Sequence, residues 1–448
     1  MDKKNISSST EEINLVIKIP EVSKDHEQLM HQKISEPPRI LSHDAGKPSC
    51  SIFRVPQSLI EVNGKIYQPH IVSIGPYHRG ESQLRMIEEH KWRYLGSLLA
   101  RTEKNRGIKL EDYLCAMAEL EQKARECYSE TIHLSTEEFA EMMVLDGCFI
   151  IELLRKAANL VLFEKDDPIL SMAWIIPFFY RDFLRLENQI PFFVLEKLFE
   201  ISESKPQEQP ALTLLALQFF DNAIQRPEGA IEKNRDLKPR HLLDLIRLSL
   251  IPTNHPEPRI RRKTPAHIIH CVSKLRRAGI NLRATKDDTF LCVKFERGVI
   301  EMPPITIDDF TTSFLVNCVS FEQCHKSCTK HFTTYATLLD CLVNTSRDVE
   351  FLCDRNIMEN CYGNDSDVAR FINNMGKDVA FDIDMCYLGD MFDDVHQYYR
   401  NSWHVQWAGF KYTYFDTPWS FISAFAALVL LLLTVAQTVY TVYSFYKP

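Results

Sequence analysis

The sequence predicts a mainly α protein: a large helical domain with short β-hairpin elements, plus one C-terminal transmembrane helix. Three observations carry this. Glycine is scarce, 14 in 448 residues, which favours helices over turn-rich β structure. Apolar residues recur at helical spacing through much of the chain from Leu84 onward. The run from Thr417 to Tyr446 holds no charged side chain. A bilayer core takes about 20 apolar residues of helix, and Phe421–Val442 meets that length. Trp419 at one end and Tyr440, Tyr443 and Tyr446 at the other form the aromatic belt expected at headgroup level.

Residues 1–48 are polar, with Pro37, Pro38 and Pro48 and little periodicity, and are expected to be disordered. His26-Glu27 and His31 do not make a zinc-protease helix, because a spacing of five puts the imidazoles on different faces. A helical domain is expected over 49–412. It opens on SIFRVPQSLIEVNGKIYQPHIVSIGPYHRG, whose Asn63-Gly64 between apolar residues signals a hairpin. Helices follow over Leu84–Thr102, with Ile87, Lys91, Tyr94, Leu95 and Leu98 on one face, and over Glu111–Ile132. Ser135 and Glu138 form a capping box that opens a helix to Lys156. Helices over Leu170–Leu184 and Leu186–Phe199 are joined by RLENQIP, with Asn188 as a cap and Pro191 in a first turn.

Further helices are expected over Ala211–Ile224 and Pro239–Leu250. The proline-rich basic stretch 251–263 marks a sub-boundary, and Thr264-Pro265 opens a helix ending near Gly279. Phe290–Phe295 and Val299–Met302 form a hairpin about Gly298. Helical segments complete the domain over Ile307–Ser327, His331–Asn344, Val349–Asn360, Asp365–Asn374 and Asp384–Ser402.

A net charge of −8 and a pI near 6.0 supply no electrostatic basis for nucleic-acid binding. The thirteen cysteines are dispersed, several in apolar helical contexts, and read as reduced, buried thiols. No secretory signal is visible at the N-terminus. Arg400 and Lys411 before the apolar run, against Lys447 after it, place the bulk in the cytosol, with the anchor in the plasma membrane or an endomembrane. The sequons at Asn5, Asn344 and Asn364 matter only for a lumenal domain.

The metal candidate is Cys324, Cys328 and His331, at i, i+4 and i+7 of one helix, with Cys318 and His325 nearby. No second ligand pair matches it, so buried thiols are the reading and neither metal nor cofactor is expected. His267, His270 and Cys271 read as helix-face residues. Walker, dinucleotide, nucleophile-elbow and kinase signatures are absent. The polar groups with catalytic potential are His70, His78, Glu88, Asp146 and Glu187, where the YQPH…SIGPYH segment meets the helix carrying Asp146 and the ENQIP turn. The competing reading is that they satisfy buried hydrogen bonds.

The motifs IFRVP (52–56), YQPHIVSIGPYHRG (67–80), LRMIEEHKWRYL (84–95), MMVLDGCFIIELLR (142–155), LRLENQIPFFVLEKLF (184–199), FERGVIEMPPITIDD (295–309), FLVNCVSFEQC (314–324) and FDTPWSFISAFAALVLLLLTVAQTVYTV (415–442) resemble the plant family of domain of unknown function 247, the UPF0481-type membrane proteins. The resemblance implies a plant protein with a large helical domain and one C-terminal span. It supplies no catalytic residues. Some members are associated with self-incompatibility recognition in grasses. The expectation is therefore a membrane-anchored, non-enzymatic interaction or recognition module with a protein partner. The alternative is a membrane-tethered enzyme with an unrecognised active site.

Overall fold

The computed structural model describes residues 24–36, 40–162, 167–203, 210–227, 229–252, 269–382, 386–400 and 418–446. In chain order the helices are α1 (Lys24–Ser35), α2 (Gln57–Asn63), α3 (Arg85–Arg106), α4 (Leu110–Arg125), α5 (Thr136–Ala157), α6 (Pro168–Ser171), α7 (Ile175–Asp182), α8 (Phe192–Ser202), α9 (Leu212–Ile224), α10 (Ala230–Lys233), α11 (Leu242–Leu250) and α12 (Val272–Arg277). They continue, after three strands and a fourth, with α13 (Asp309–Cys324), α14 (His331–Leu342), α15 (Ser346–Asp354), α16 (Asp365–Met375), α17 (Gly389–Arg400) and α18 (Pro418–Tyr446). Strands β1 (Asn281–Ala284), β2 (Lys294–Glu296) and β3 (Val299–Met302) form a sheet in the order β1-β3-β2, with β1 parallel and β2 antiparallel to β3. Strand β4 (Ile305–Ile307) pairs in parallel with β5 (Met358–Asn360). The mainly α architecture with short β elements is the one the sequence predicts.

Helix α5 is the centre. It is a core helix: from Phe139 to Lys156 nearly every side chain is buried, the charged Asp146, Glu152, Arg155 and Lys156 among them. It starts at the expected capping box, Ser135 Oγ accepting from Glu138 N at 3.1 Å and Glu138 Oε2 accepting from Ser135 N at 2.9 Å. Helices α3, α4, α8 and α9 surround it. Gly147 lets α8 close in, because a Cβ there would meet Leu198 Cδ1. The buried core runs continuously from Cys50 to Val395. Across the expected boundary at 251–263, most of which lies outside the described residues, Arg247 of α11 bonds Glu322 of α13 at 2.9 Å.

Several local expectations are corrected. Asn63-Gly64 makes no hairpin: residues 57–63 are helical, and Gly64, with φ +66°, terminates α2. A positive-φ glycine serves a helix end as readily as a tight strand turn. Within the segment expected to be disordered, α1 forms an exposed helix, and Ser42 N–H donates to Ser129 O at 2.8 Å, tying the chain to the domain before Cys50. Residues 349–360 split into the end of α15 and β5, and the hairpin about Gly298 is shorter than expected on its first strand. The Thr264-Pro265 start and His267 fall outside the described residues.

Helix α18 is the one helix among the described residues long and apolar enough to cross a membrane. Its stretch Ile422–Tyr443 has a mean hydropathy of 2.2, and none of it is buried. Its threonines are satisfied without water: Thr434, Thr438 and Thr441 each donate to the carbonyl four residues back at 2.8 Å.

Candidate functional site

Segment 68–76 is neither helix nor strand, so its backbone donors must be met by other means. Buried side chains from α5, from α7 and from the turn before α8 meet them. Asp182 Oδ2 accepts from the backbone N–H of His70 (2.9 Å), Ile71 (2.8 Å) and Val72 (3.2 Å), while Oδ1 accepts from Arg185 Nε at 3.1 Å. Asn188 Oδ1 accepts from Ile74 N at 2.7 Å, and its amide donates to Val72 O and Asp182 O. Asp146 Oδ2 accepts from Gly75 N at 2.8 Å. Glu187 accepts from Val55 N at 2.7 Å and from Arg54 Nη1 at 2.8 Å. Asn188, expected as a helix cap, therefore holds a neighbouring segment instead, and Pro191 occupies the cap position of α8.

Gly75 sits at the tightest point, with φ +76°. A Cβ there would lie 2.5 Å from Gln189 O and 3.2 Å from the Tyr128 hydroxyl. Only glycine fits both the backbone angle and the space.

The expected catalytic candidates are brought together around this segment in two adjoining clusters. In the first, Lys91, 1% exposed, places Nζ 2.6 Å from Asp146 Oδ1 and 2.5 Å from Glu88 Oε1, and also donates to Ser73 O. Burial raises the Glu88 carboxyl above its ordinary range despite the Lys91 cation. In the second, His78 Nδ1 lies 2.7 Å from Glu81 Oε1, and its Nε2 lies 3.3 Å from Glu187 Oε2. Burial pushes the Glu187 carboxyl up, but His78, the Val55 amide and Arg54 outweigh it and hold it below the usual range. The same balance holds Asp182 low, burial being opposed by the His70 side chain, Arg185 and the two amides. His70 itself is part-exposed, its Nδ1 2.7 Å from Arg185 Nη2.

Sequence reasoning missed Asp182, Arg185 and Arg54. Lys91 carried a readable signal, a cation at an apolar position of a helix face. Asp182 carried none beyond a charge at the end of an apolar run.

The metal candidates are not assembled. Helix α13 ends at Cys324, and 325–330 leave the helix, so Cys324, Cys328 and His331 do not share a face. Cys328 Sγ points to Thr329 O at 3.6 Å, and the His331 ring stacks on Tyr387 at 4.7 Å. No three potential ligands among the described residues could hold a metal. No disulfide joins any of the thirteen cysteines, and burial pushes thiols such as Cys50 and Cys328 up to about 12.

A second polar knot joins α11, α13 and α14. Arg247, 1% exposed, donates to Glu322 at 2.9 Å, to Asp244 at 3.3 Å and to Thr329, and Glu322 accepts from Phe332 N and Thr333 N at the start of α14. Beside it, fully buried His241 has Nε2 3.0 Å from Ser51 O, and its Nδ1 accepts from Asp244 N at 3.2 Å. Burial lowers its pKa to about 4. A depressed histidine favours folding fully above its unfolded value of about 6.5, and that stability is lost as pH falls toward 4. Urea unfolding should therefore show a loss of about 2 kcal/mol between pH 7 and 5 from this group. His241→Gln should remove most of that slope; an unchanged slope would refute the assignment.

Two clefts lie away from these groups. They measure about 460 and 530 Å³ and share Ile224, Gln225, Leu250, Phe290 and Pro304, and neither is lined by the candidate groups.

Comparison with known proteins gives a consistent picture. The profile of DUF247, described as a plant protein of unknown function, matches residues 52–433. A UPF0481 protein of Arabidopsis thaliana is 37% identical over 434 residues, covering 92% of this chain and 90% of the relative. A second UPF0481 protein of the same plant is 23% identical over 497 residues, covering 90% and 92%. No solved structure matches the chain.

Proposed function

The chain belongs to the DUF247 family of plant proteins of unknown function, and from that membership we propose that it is a single-pass membrane-anchored interaction module rather than an enzyme. One observation carries the reading: the groups best suited to catalysis are already committed. Asp146 and Glu187 hold the Gly75 and Val55 amides, and Lys91 is buried between two carboxylates and a carbonyl. A general base needs a lone pair free to meet a substrate proton, and both carboxylates are engaged on each oxygen, one oxygen by a backbone amide and the other by a cation. What such a framework offers a partner is a fixed surface.

The anchor in this reading is α18, wholly exposed and apolar over Ile422–Tyr443. Arg400 and Lys411 on the domain side favour a cytosolic domain, and free thiols, two of them exposed, suit that compartment. Alkaline carbonate extraction of plant microsomes tests the anchor. The full chain should stay in the pellet, and a chain ending at Asp416 should move to the supernatant. An N-terminal tag on the full chain should be protease-sensitive in intact microsomes. A truncated chain retained in the pellet, or a protected tag, would contradict the reading. Turnover of a substrate abolished by Asp146→Asn without loss of folding would replace it with the enzymatic one.

A further inference from the structure

We propose that the end of the domain from which the chain leaves toward α18 docks on anionic lipid headgroups of the bilayer that α18 crosses. The proposal rests on the reading of α18 as a span.

Three elements converge at this end. Helix α12 leads through Gly279 into β1, whose first residue, Asn281, donates its N–H to Gly298 O at 2.9 Å. Gly298 and Arg297 make the β2–β3 turn, with φ of +81° and +50°. Helix α17 lies across that turn: a Cβ on Gly298 would be 2.7 Å from the Tyr398 hydroxyl, and the Tyr398 ring meets Phe295 edge-on at 5.8 Å. Tyr399 packs on His270 at 4.5 Å. Arg400 follows at once and is the last described residue before Pro418. Seventeen residues (401–417) separate the two, a reach of no more than about 60 Å.

The charge at this end runs against the rest of the chain. The protein carries −8 overall, yet Lys274, Arg277, Arg297 and Arg400 are all exposed here, against the exposed acids Glu296 in the turn and Asp354, which lies with exposed Arg355 along a shallow cleft beside Asn281 and Val299. None of these four cations forms an ion pair with another described residue, whereas Arg283 and Lys294, farther along the sheet, are paired to Glu301 and Asp287. Three of the four are arginines, whose planar fork matches a phosphate. Basic residues next to a span attract anionic lipid by roughly five-fold each, within about a Debye length of the surface. The part-buried Tyr398 and Tyr399 rings add the aromatic character of an interfacial layer. Docking would hold the domain in one pose above the membrane and leave its opposite end for a partner.

The test uses the full chain in nanodiscs of neutral phosphatidylcholine or of the same lipid with about 30% phosphatidylserine, read by hydrogen exchange with mass detection. The expected result is exchange at 296–298 slowed at least about three-fold by the anionic lipid, with α5 unchanged, and the protection lost at about 0.5 M salt. A variant carrying Lys274→Glu, Arg277→Glu, Arg297→Glu and Arg400→Glu should lose it too; these positions are exposed, so the fold is retained, and α5 exchange checks that. Equal exchange in both discs, or protection that survives the four substitutions, overturns the docking alone. A chain that does not co-elute with the discs overturns the span and the docking with it.

Discussion

Asp182→Ala is expected to cost on the order of 5 kcal/mol, most of the stability of an ordinary domain. One fully buried carboxylate accepts from the backbone of His70, Ile71 and Val72 and pairs with Arg185. Each buried donor left unmet costs about 1–3 kcal/mol, and a buried cation without its partner costs more. Alanine strands all of them at once. Asp182→Asn keeps an acceptor for the amides and removes only the anion, so it should fall between alanine and the wild type. Urea unfolding of the full chain in detergent measures both. A loss below about 1 kcal/mol for the alanine variant would show that water or a rearranged loop replaces the carboxylate.

The second large effect is expected at Lys91 and Asp146, 2.6 Å apart and respectively 1% and 3% exposed. Lys91→Met leaves Asp146 as a buried charge without its cation, a loss of about 3–5 kcal/mol, whereas Asp146→Ala leaves Lys91 with Glu88 as its remaining carboxylate and should cost less in charge pairing. Lys91→Met combined with Asp146→Ala removes both charges and should cost clearly less than the sum. A double-mutant cycle should give a coupling of about 2 kcal/mol or more. Strict additivity would mean that the pair is not formed. The residual loss in the double variant reflects Gly75 N–H, which loses its acceptor with Asp146, and Ser73 O, which loses its donor with Lys91.

Elements governed by local rules were legible in the sequence. The Ser135–Glu138 box opens α5 where it was expected, the Ile87–Lys91–Tyr94–Leu98 face lies on α3, and the uncharged run near the C-terminus is a single helix. Local ambiguity accounts for the errors. Asn63-Gly64 satisfies a helix end and a strand turn equally, and tertiary packing chose the first. A helix drawn from Ile307 to Ser327 ignored the break at His325, which lets Lys330 Nζ cap the His325 carbonyl at 3.0 Å and lets Glu322 receive the start of α14. That break separates the metal candidates.

The site was legible only as a meeting of segments. That the YQPH…SIGPYH stretch meets Asp146 and the ENQIP turn is what the structure contains, but the contacts cross 71 to 116 positions of chain. Separations of that size leave no periodicity to read. Asp182, which supplies more of the clamp than any residue singled out from the sequence, sits at the end of IIPFFYRD with nothing local to mark it.

Segment 70–75 is locked by buried side-chain acceptors and serves as a structural keystone. Hydrogen exchange of the backbone amides of His70, Ile71, Val72, Ile74 and Gly75 in the intact, folded chain tests it most directly. The expected result is protection comparable to the centre of α5, although no strand covers these amides, with Gly75 protection lost selectively in Asp146→Ala. Rapid exchange of these amides in the wild-type protein would contradict it.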